Sequence, residues 1–332
     1  MAEGMRVLLT GCAGYIGRAL ARRLRERGVV VVGVDRDPWG PEVAGLGERM
    51  DLAEAGSSGR LAALMADVDA VFHLAAARVD WGLDYAGYAR DNLEVTREVV
   101  EAAALAGVDR WVYLGTVGVY GSGAHALDET APFAPATDYA TTKALAEQLL
   151  LERAASAGWV VRILRPSAVF SEEQPANTNL YRLIEAIRRN RFVLVGDGSE
   201  IKTTSYLHNV VDATLWLYDD LGKGGVEAYN YVDEPKLTTR EMVDVIREEL
   251  GSRLPLVRCP LGVAEKPALA LDWLAERLHR DLPVTAARIR KFCTPTNFDA
   301  SRIREAGFVP RYGSHDALRR TVHWHRSLAR NA

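Results

Sequence analysis

The sequence is poor in cysteine, has no long apolar run and carries no large excess of either charge. Its three cysteines among 332 residues form no CxxC pair and no plausible disulfide framework, which favours a reducing, cytoplasmic setting. No apolar stretch reaches the ~20 residues of a membrane span, and the N-terminus has no secretory layout. Lys+Arg 41 against Asp+Glu 44 gives a net charge of −3, so neither nucleic acid nor an anionic membrane is an expected partner.

What the chain does have is a repeating pattern in its first half. Short β-branched runs alternate with amphipathic stretches, which is typical of a parallel sheet covered by helices on both faces. Strands are predicted at 6–10, 29–35, 70–74, 110–115 and 160–164, the last ending before Pro166, and helices at 16–27, 61–65, 92–106 and 140–157.

The pattern changes after Pro166, where loops lengthen and proline and glycine recur. Helices dominate this half and are predicted at 180–189, 210–218, 239–250 and 263–278. The sequence therefore predicts an α/β fold. Residues 1–166 form a doubly wound parallel sheet, and residues 167–332 mainly form a smaller, mostly helical substrate lobe.

A glycine-rich turn, Gly11-Cys-Ala-Gly14-Tyr-Ile-Gly17, lies between the first strand and the first helix. Glycine has no Cβ, so the backbone of such a turn can approach a pyrophosphate closely. A helix that begins at Tyr15 and Ile16 offers its free N–H groups and positive dipole end to the phosphates. The GxxGxxG spacing is not the commonest dinucleotide fingerprint, but its place between a strand and a helix predicts a Rossmann-type, dinucleotide-binding first half.

Acidic side chains follow the next two apolar runs. Asp35 ends the second strand, near the ~20-residue offset expected of a carboxylate that binds the adenosine ribose. Such a carboxylate accepts hydrogen bonds from the 2′-OH and repels a 2′-phosphate, which favours NAD over NADP. Arg36 leaves NADP open, because a guanidinium could pair with that phosphate. Asp51 and Leu52 are candidates for contact with the adenine.

Tyr139 and Lys143 are one helical turn apart, so the phenol and the ammonium share a face. A neighbouring cation favours the phenolate and lowers the pKa of a tyrosine, which gives a base able to remove a hydroxyl proton. Thr116 follows the strand at 110–115, and a hydroxyl at the carboxyl end of a parallel strand points into the ligand crevice. These three residues are the predicted catalytic group. His208 lacks the clustered partners of a metal site, so no metal is predicted.

These features resemble the extended short-chain dehydrogenase/reductases, in particular the NAD-dependent epimerase/dehydratase family, over nearly the whole chain. Thr10–Gly17 is similar to the family's TGxxGxxG turn, and Tyr139 with Lys143 to its YxxxK pair. Further segments resemble family motifs in the same order: His73-Leu-Ala-Ala76, Asn92, Gly115–Gly121, Glu147, Arg165-Pro166, Phe298–Ser301 and Thr321–Trp324.

The resemblance implies roles for residues that composition and spacing do not explain. Leu74, Ala75, Ala76, Asn92 and Pro166 are expected to line the cofactor, and some later strands are expected to return to the main sheet. The family also implies a homodimer in which the helices at 92–106 and 140–157 pair with their copies. On the substrate side, the expected residues are Arg78, Thr116, Val117, Asn179, Leu180 and Lys202, with Arg288 and Arg290 as further sources of positive charge.

The residues after Thr116 narrow the expected reaction. Dehydratases of the family carry Asp-Glu there and decarboxylases often carry Glu, whereas Val117 and Gly118 cannot transfer protons. The resemblance thus favours a nucleotide-sugar 4-epimerase, which passes through a transient 4-keto sugar with hydride transfer to and from bound NAD. A dehydrogenase or ketoreductase of a sterol-like or sugar substrate is the alternative, and Asn209-Val-Val resembles that branch. A non-enzymatic NAD-binding protein is the third possibility.

Overall fold

A computed structural model describes residues 4–41, 47–54, 56–78, 82–123, 125–252, 254–263, 277 and 293–331. Its centre is a seven-stranded, fully parallel sheet in the order β11-β6-β5-β4-β1-β2-β3. The strands are β1 Arg6–Thr10, β2 Val30–Asp35, β3 Gly47–Arg49, β4 Ala70–His73, β5 Arg110–Leu114, β6 Val160–Pro166, β7 Ala168–Phe170, β8 Leu194–Val195, β9 Ile201–Lys202, β10 Thr204–Tyr206, β11 Val226–Tyr231, β12 Leu237–Thr238 and β13 Arg258–Cys259.

Helices cover both faces of this sheet, as the alternating pattern predicts. One face packs on α1 and α7 through side chains such as Leu20 and Leu215, and the other on α2, α4 and α5 through Val99 and Leu150. None of the helices described is long and apolar enough to cross a bilayer. The helices are α1 Tyr15–Glu26, α2 Ser57–Leu64, α3 Tyr85–Tyr88, α4 Val95–Ala106, α5 Asp138–Ala157, α6 Asn179–Arg188, α7 Leu207–Asp220, α8 Thr239–Leu250, α9 Ser301–Glu305 and α10 Ser314–Asn331.

Several boundaries differ from the sequence prediction by a few residues, and two of these differences change how elements are connected. The helix expected at 92–106 starts earlier, because Asp84 caps Tyr85–Tyr88 and a π-helical turn, Ala89–Glu94, joins α3 to α4. Strand β6 does not stop before Pro166. Its last residues pair with β11, where Tyr231 is opposite Pro166 and the missing proline N–H is compensated by Ser167, which donates to the Tyr231 carbonyl at 3.1 Å.

The later half of the chain divides between the sheet and a lobe. Helices α6, α8 and α10 pack around a separate apolar cluster that includes Ile184, Val243 and Leu318, with three two-stranded pairings beside them. Helix α7, which the sequence pattern assigns to the lobe, instead packs with β11 in the main sheet layers. Most of the helix predicted at 263–278 lies outside the described residues.

One buried charge ties β6 to the chain that follows α7. The Arg162 side chain is 1% exposed, and its Nε donates to the Asp220 carboxylate at 2.7 Å. Its two terminal nitrogens donate to the carbonyls of Asp220, Gly224 and Gly225 at 2.9–3.1 Å. The guanidinium is thus satisfied almost entirely by one loop, which it holds against the sheet edge.

Replacing Arg162 by Met is expected to lower the free energy of unfolding by about 3–5 kcal/mol, because a buried carboxylate and several carbonyls lose their donor. Urea unfolding followed by circular dichroism measures the loss. Arg23→Met is the matched control, since the Arg23 side chain is 36% exposed in its ion pairs and should cost below about 1 kcal/mol. Equal losses in the two variants would contradict the assigned role of Arg162.

Candidate active site

The candidate site lies at the carboxyl edge of the sheet, where β1, β4, β5 and β6 end side by side. The turn after β1, the segment after β4 and the residues after β5 therefore meet in one crevice. This edge brings together the glycine turn and the predicted Thr116, Tyr139 and Lys143 group.

The glycine turn is closed by contacts that leave no room for side chains. Gly11 has a φ of +73°, and a Cβ there would lie 2.7 Å from the Ala75 nitrogen. A Cβ on Gly17 would lie 2.0 Å from the Gly11 carbonyl oxygen. Gly14 precedes α1 and supplies no side-chain cap, so the first N–H groups of the helix remain for a ligand. This cradle fits a dinucleotide pyrophosphate.

Asp35 connects the end of β2 to that turn. Its Oδ2 accepts from the Ala13 N–H at 2.9 Å, and its Oδ1 accepts from the Asp37 N–H at 3.0 Å. Each carboxylate oxygen keeps a free acceptor position, which suits a ribose hydroxyl. Nearby, Leu52 is buried, and the Asp51 carboxylate accepts from the Ala53 N–H at 3.0 Å and from Arg90.

A buried histidine fixes the segment after β4. Thr10 Oγ1 lies 2.7 Å from His73 Nδ1, and Thr96 Oγ1 lies 2.9 Å from His73 Nε2. The same Thr10 oxygen accepts from the Leu74 and Ala75 N–H groups at 3.3 Å. Burial, reinforced by the Lys143 cation, lowers the pKa of His73 to about 3 and keeps the ring neutral. Ala76 follows as an exposed residue at the crevice.

Asn92 is placed in the π-helical turn and bridges two elements of the site. Its Oδ1 accepts from the Ala77 N–H at 2.8 Å, and its Nδ2 donates to Thr142 Oγ1 at 3.0 Å. The amide thus holds the segment after β4 against α5, next to Lys143. Sequence reasoning missed Thr142 and Thr96, although a buried polar residue in an otherwise apolar helix face is the signal that could have found them.

The predicted catalytic residues do lie together. The Thr116 hydroxyl is near enough to Tyr139 to lower the pKa of that phenol, and Thr116 Oγ1 accepts from the Gly118 N–H at 3.1 Å. Lys143 is 3% exposed, donates from Nζ to the Leu114 carbonyl at 2.8 Å, and lies 4.3 Å from the centre of the Tyr113 ring.

Burial opposes charge on both members of the Tyr–Lys pair. It raises the pKa of Tyr139, while Arg78 and Thr116 act in the opposite direction. It lowers the pKa of Lys143 to about 7, although the Glu147 carboxylate opposes that shift. The phenolate form of Tyr139 and the ammonium form of Lys143 are therefore each disfavoured by burial in this site.

A buried network underlies the pair. Glu147 is fully buried and is paired with Arg165, whose Nε lies 3.1 Å from Glu147 Oε1. Arg165 also donates to the Tyr120 hydroxyl, which donates to Asn230 Oδ1 at 3.0 Å. A Cβ on Gly115 would lie 2.9 Å from Glu147 Oε2, so a side chain there would displace the buried carboxylate. Asn230 was not foreseen, because β11 is far along the sequence.

The predicted substrate residues are more dispersed. Val117 is buried in the sheet core, in a 3₁₀ turn after Thr116. Pro166, which is expected to line the cofactor, ends β6. Asn179 is exposed at the start of α6, which Thr178 caps, and Leu180 is buried. Lys202 donates to the Thr294 carbonyl, and Arg78 is exposed at the end of its segment. Arg288 and Arg290 lie outside the described residues.

No group of three His, Cys, Asp or Glu suited to a metal occurs in the described part of the chain.

The family model of the NAD dependent epimerase/dehydratase family matches residues 7–231. An Escherichia coli O157:H7 protein, N-acetyl-alpha-D-glucosaminyl-diphospho-ditrans,octacis-undecaprenol 4-epimerase, is 29% identical over 96% of this chain and 94% of its own. The 2-alkyl-3-oxoalkanoate reductase of Stenotrophomonas maltophilia is 32% identical over 95% of this chain and 98% of its own.

Among solved structures, MoeE5 in complex with UDP-glucose and NAD is 26% identical, with a TM-score of 0.76 over 98% of this chain and 99% of that chain. The predicted Rossmann-like fold, the enzyme class and NAD as cofactor are confirmed by these matches. The chain belongs to the NAD-dependent epimerase/dehydratase family.

Proposed function

We propose that this protein is a nucleotide-sugar epimerase that inverts the C4 centre through a 4-keto sugar. The observation that carries the proposal is the grouping of Thr116, Tyr139 and Lys143 beside the glycine turn, with the apolar Val117 next to Thr116. This set can move one proton and hold one oxygen. It has no extra acid or base at 117 and 118 for the loss of water or carbon dioxide.

Each residue has a defined part in the proposed reaction. Tyr139 takes the proton of the C4 hydroxyl, and Thr116 holds the same oxygen by a hydrogen bond. Lys143 stabilises the phenolate by charge and donates to the nicotinamide ribose. Bound NAD would supply the hydride acceptor for C4 and the hydride donor for the opposite face. Gly11, Gly14, Tyr15, Ile16, Gly17 and Asp35 are the residues proposed to hold it, with Leu74–Ala76, Asp51, Leu52 and Pro166 along its length.

The substrate is proposed to be a sugar diphosphate. Arg78 is close enough to Tyr139 to lower the pKa of that phenol, so a cation is present near the reacting centre. Asn179 at the start of α6 offers helix N–H groups, and Lys202 adds a second positive charge. MoeE5 binds UDP-glucose, and the Escherichia coli relative acts on a sugar carried by a lipid diphosphate, which supports the same substrate class.

A net ketoreductase is the second candidate, because two relatives at 32% and 31% identity are reductases. It would use the same three residues with an exchangeable cofactor. Asn209, whose sequence context resembles that branch, contributes nothing to this choice. It is fully buried and bridges Asp233 and the Tyr312 carbonyl at 2.9 and 2.8 Å, so packing explains it.

The purified protein is expected to interconvert two UDP- or dTDP-hexoses that differ at C4, with no cofactor added, because the reaction has no net redox change. Nuclear magnetic resonance of the sugar products checks this, and mass spectrometry of the denatured protein checks NAD retention. Tyr139→Phe keeps the ring and removes the base, so it should lose at least about 10²-fold of the rate.

Two results would contradict the proposal. One is stoichiometric reduction of a ketone by NADH with no epimerisation of any hexose tested, which would support the reductase. The other is a Tyr139→Phe variant with full epimerase activity.

Lys143→Met tests how much the buried ammonium group lowers the free energy of unfolding. The folded state lowers the pKa of Lys143 to about 7, so between that value and about 10.4 the unfolded chain binds more protons. This lysine's contribution to the free energy of unfolding therefore rises with pH across that window, and it is least favourable below pH 7.

From pH 7 to pH 9.5, wild type without cofactor should gain stability relative to Lys143→Met in urea unfolding, and the variant should be inactive. Lys236→Met is the control, since that lysine is only half-buried and donates to Asn297. A difference between wild type and Lys143→Met that stays constant across this range would show that the ammonium is not destabilised by burial.

We further propose a homodimer through α4 and α5. These helices lie side by side on one face of the sheet, and they expose Leu105 and Leu145, at 68% and 36%. Sedimentation velocity at micromolar concentration should give a dimer, and Leu105→Glu with Leu145→Glu should shift it to monomer with an unchanged circular dichroism spectrum. A monomeric wild type would refute the dimer.

A further inference from the structure

Four alternating charges form a chain beside the end of β2. The Asp91 carboxylate lies at its centre and accepts from Arg36 Nη1 at 2.9 Å and from Arg90 Nη1 at 2.5 Å. The other terminal nitrogen of Arg90 donates to Asp51. The Asp91 side chain is only 10% exposed, whereas the two guanidinium groups are about half exposed, so the carboxylate is the fixed point of the group.

The position of Arg36 gives this chain of charges a consequence for the cofactor. Arg36 directly follows Asp35, the carboxylate placed to receive the adenosine ribose hydroxyls. A guanidinium at that position can form a bidentate pair with a 2′-phosphate, which would admit NADP. In this structure, Arg36 Nη1 is instead paired with Asp91, which belongs to the π-helical turn Ala89–Glu94.

The π-helical turn lets two adjacent residues, Asp91 and Asn92, contact different parts of the site. Asp91 and its neighbour Asn92 are both buried, at 8% and 1%, and they face different partners. Asn92 holds Ala77 and Thr142, while Asp91 holds the two arginines. In the wider turn, Asn92 contacts the segment after β4 and Asp91 contacts Arg36 at the end of β2.

We propose that Asp91 is a positioning residue for cofactor specificity: it keeps the Arg36 guanidinium away from the ribose 2′ position, so that the site takes NAD and not NADP. Asp35 repels the 2′-phosphate directly, and Asp91 holds back the adjacent Arg36 cation, which could offset that repulsion. The inference concerns only the adenosine end of the cofactor. It applies whether the protein epimerises a sugar or reduces a ketone. Its test can therefore succeed or fail independently of the proposed function.

The test compares the dissociation constants of NAD⁺ and NADP⁺ by titration calorimetry, on protein stripped of bound nucleotide. The background is Asp35→Asn, which removes the direct repulsion. Adding Asp91→Asn should tighten NADP⁺ binding by about tenfold or more, because one freed charge-assisted pair is worth about that factor. NAD⁺ binding should change by less than about threefold, since it has no 2′-phosphate.

Two controls separate positioning from general loosening of the site. With Arg36→Met also present, Asp91→Asn should bring no gain in NADP⁺ affinity, because the guanidinium next to Asp35 is gone and Arg90 is still paired with Asp51. Arg90→Met breaks bonds to the same carboxylate and leaves Arg36 in place, so it should bring no gain either.

The proposal is overturned if Asp91→Asn gives no gain while NAD⁺ still binds, or if the gain persists without Arg36. Should Asp91→Asn fail to fold, Asp91→Ser in the Asp35→Asn background is measured instead, with the same expectations. Arg36→Met alone, which removes the cation that the proposal invokes, should leave NADP⁺ binding to the Asp35→Asn protein unchanged. A large loss there would show that Arg36 already reaches the phosphate and would likewise overturn the proposal.

Discussion

The buried ion pair between Glu147 and Arg165 is the interaction on which the rest of the site depends. It fixes helix α5 to strand β6 one turn after Lys143, and Arg165 continues through Tyr120 to Asn230 on the edge strand. A pair of this kind gains little net stability over apolar residues of similar shape, but losing one partner is costly. What it provides is position: the face of α5 that carries Tyr139 and Lys143 cannot rotate or slide without uncovering a charge.

The same burial that gives position also opposes the chemistry. Tyr139 and Lys143 are each shifted toward the neutral form, and the neutral His73 behind them adds no competing charge. In the proposed reaction the phenolate and the ammonium would form together, and each charge would then stabilise the other.

Local signals explain what could be predicted from the sequence. The glycine turn, Asp35 and the Tyr139–Lys143 pair depend on spacing within one strand–helix unit, and the bounds of β1 and α8 match the prediction to the residue. Features that depend on distant partners were not predicted. Extension of β6 through Pro166 needs β11, the assignment of α7 to the sheet needs its packing on α1, and the restraint of Arg36 needs a π-helical turn some fifty residues later.

The pairing of β11 with β6 has a consequence for the order in which the chain can fold. Strand β6 ends at residue 166, but its outer neighbour begins only at Val226, after part of the lobe has been made. During synthesis, β6 is therefore an open edge until some sixty further residues have left the ribosome. The lobe segment that contains α6 lies in the chain between two paired strands of the sheet. The sheet and the lobe therefore complete their structures together, and cutting the chain at one point would not separate them.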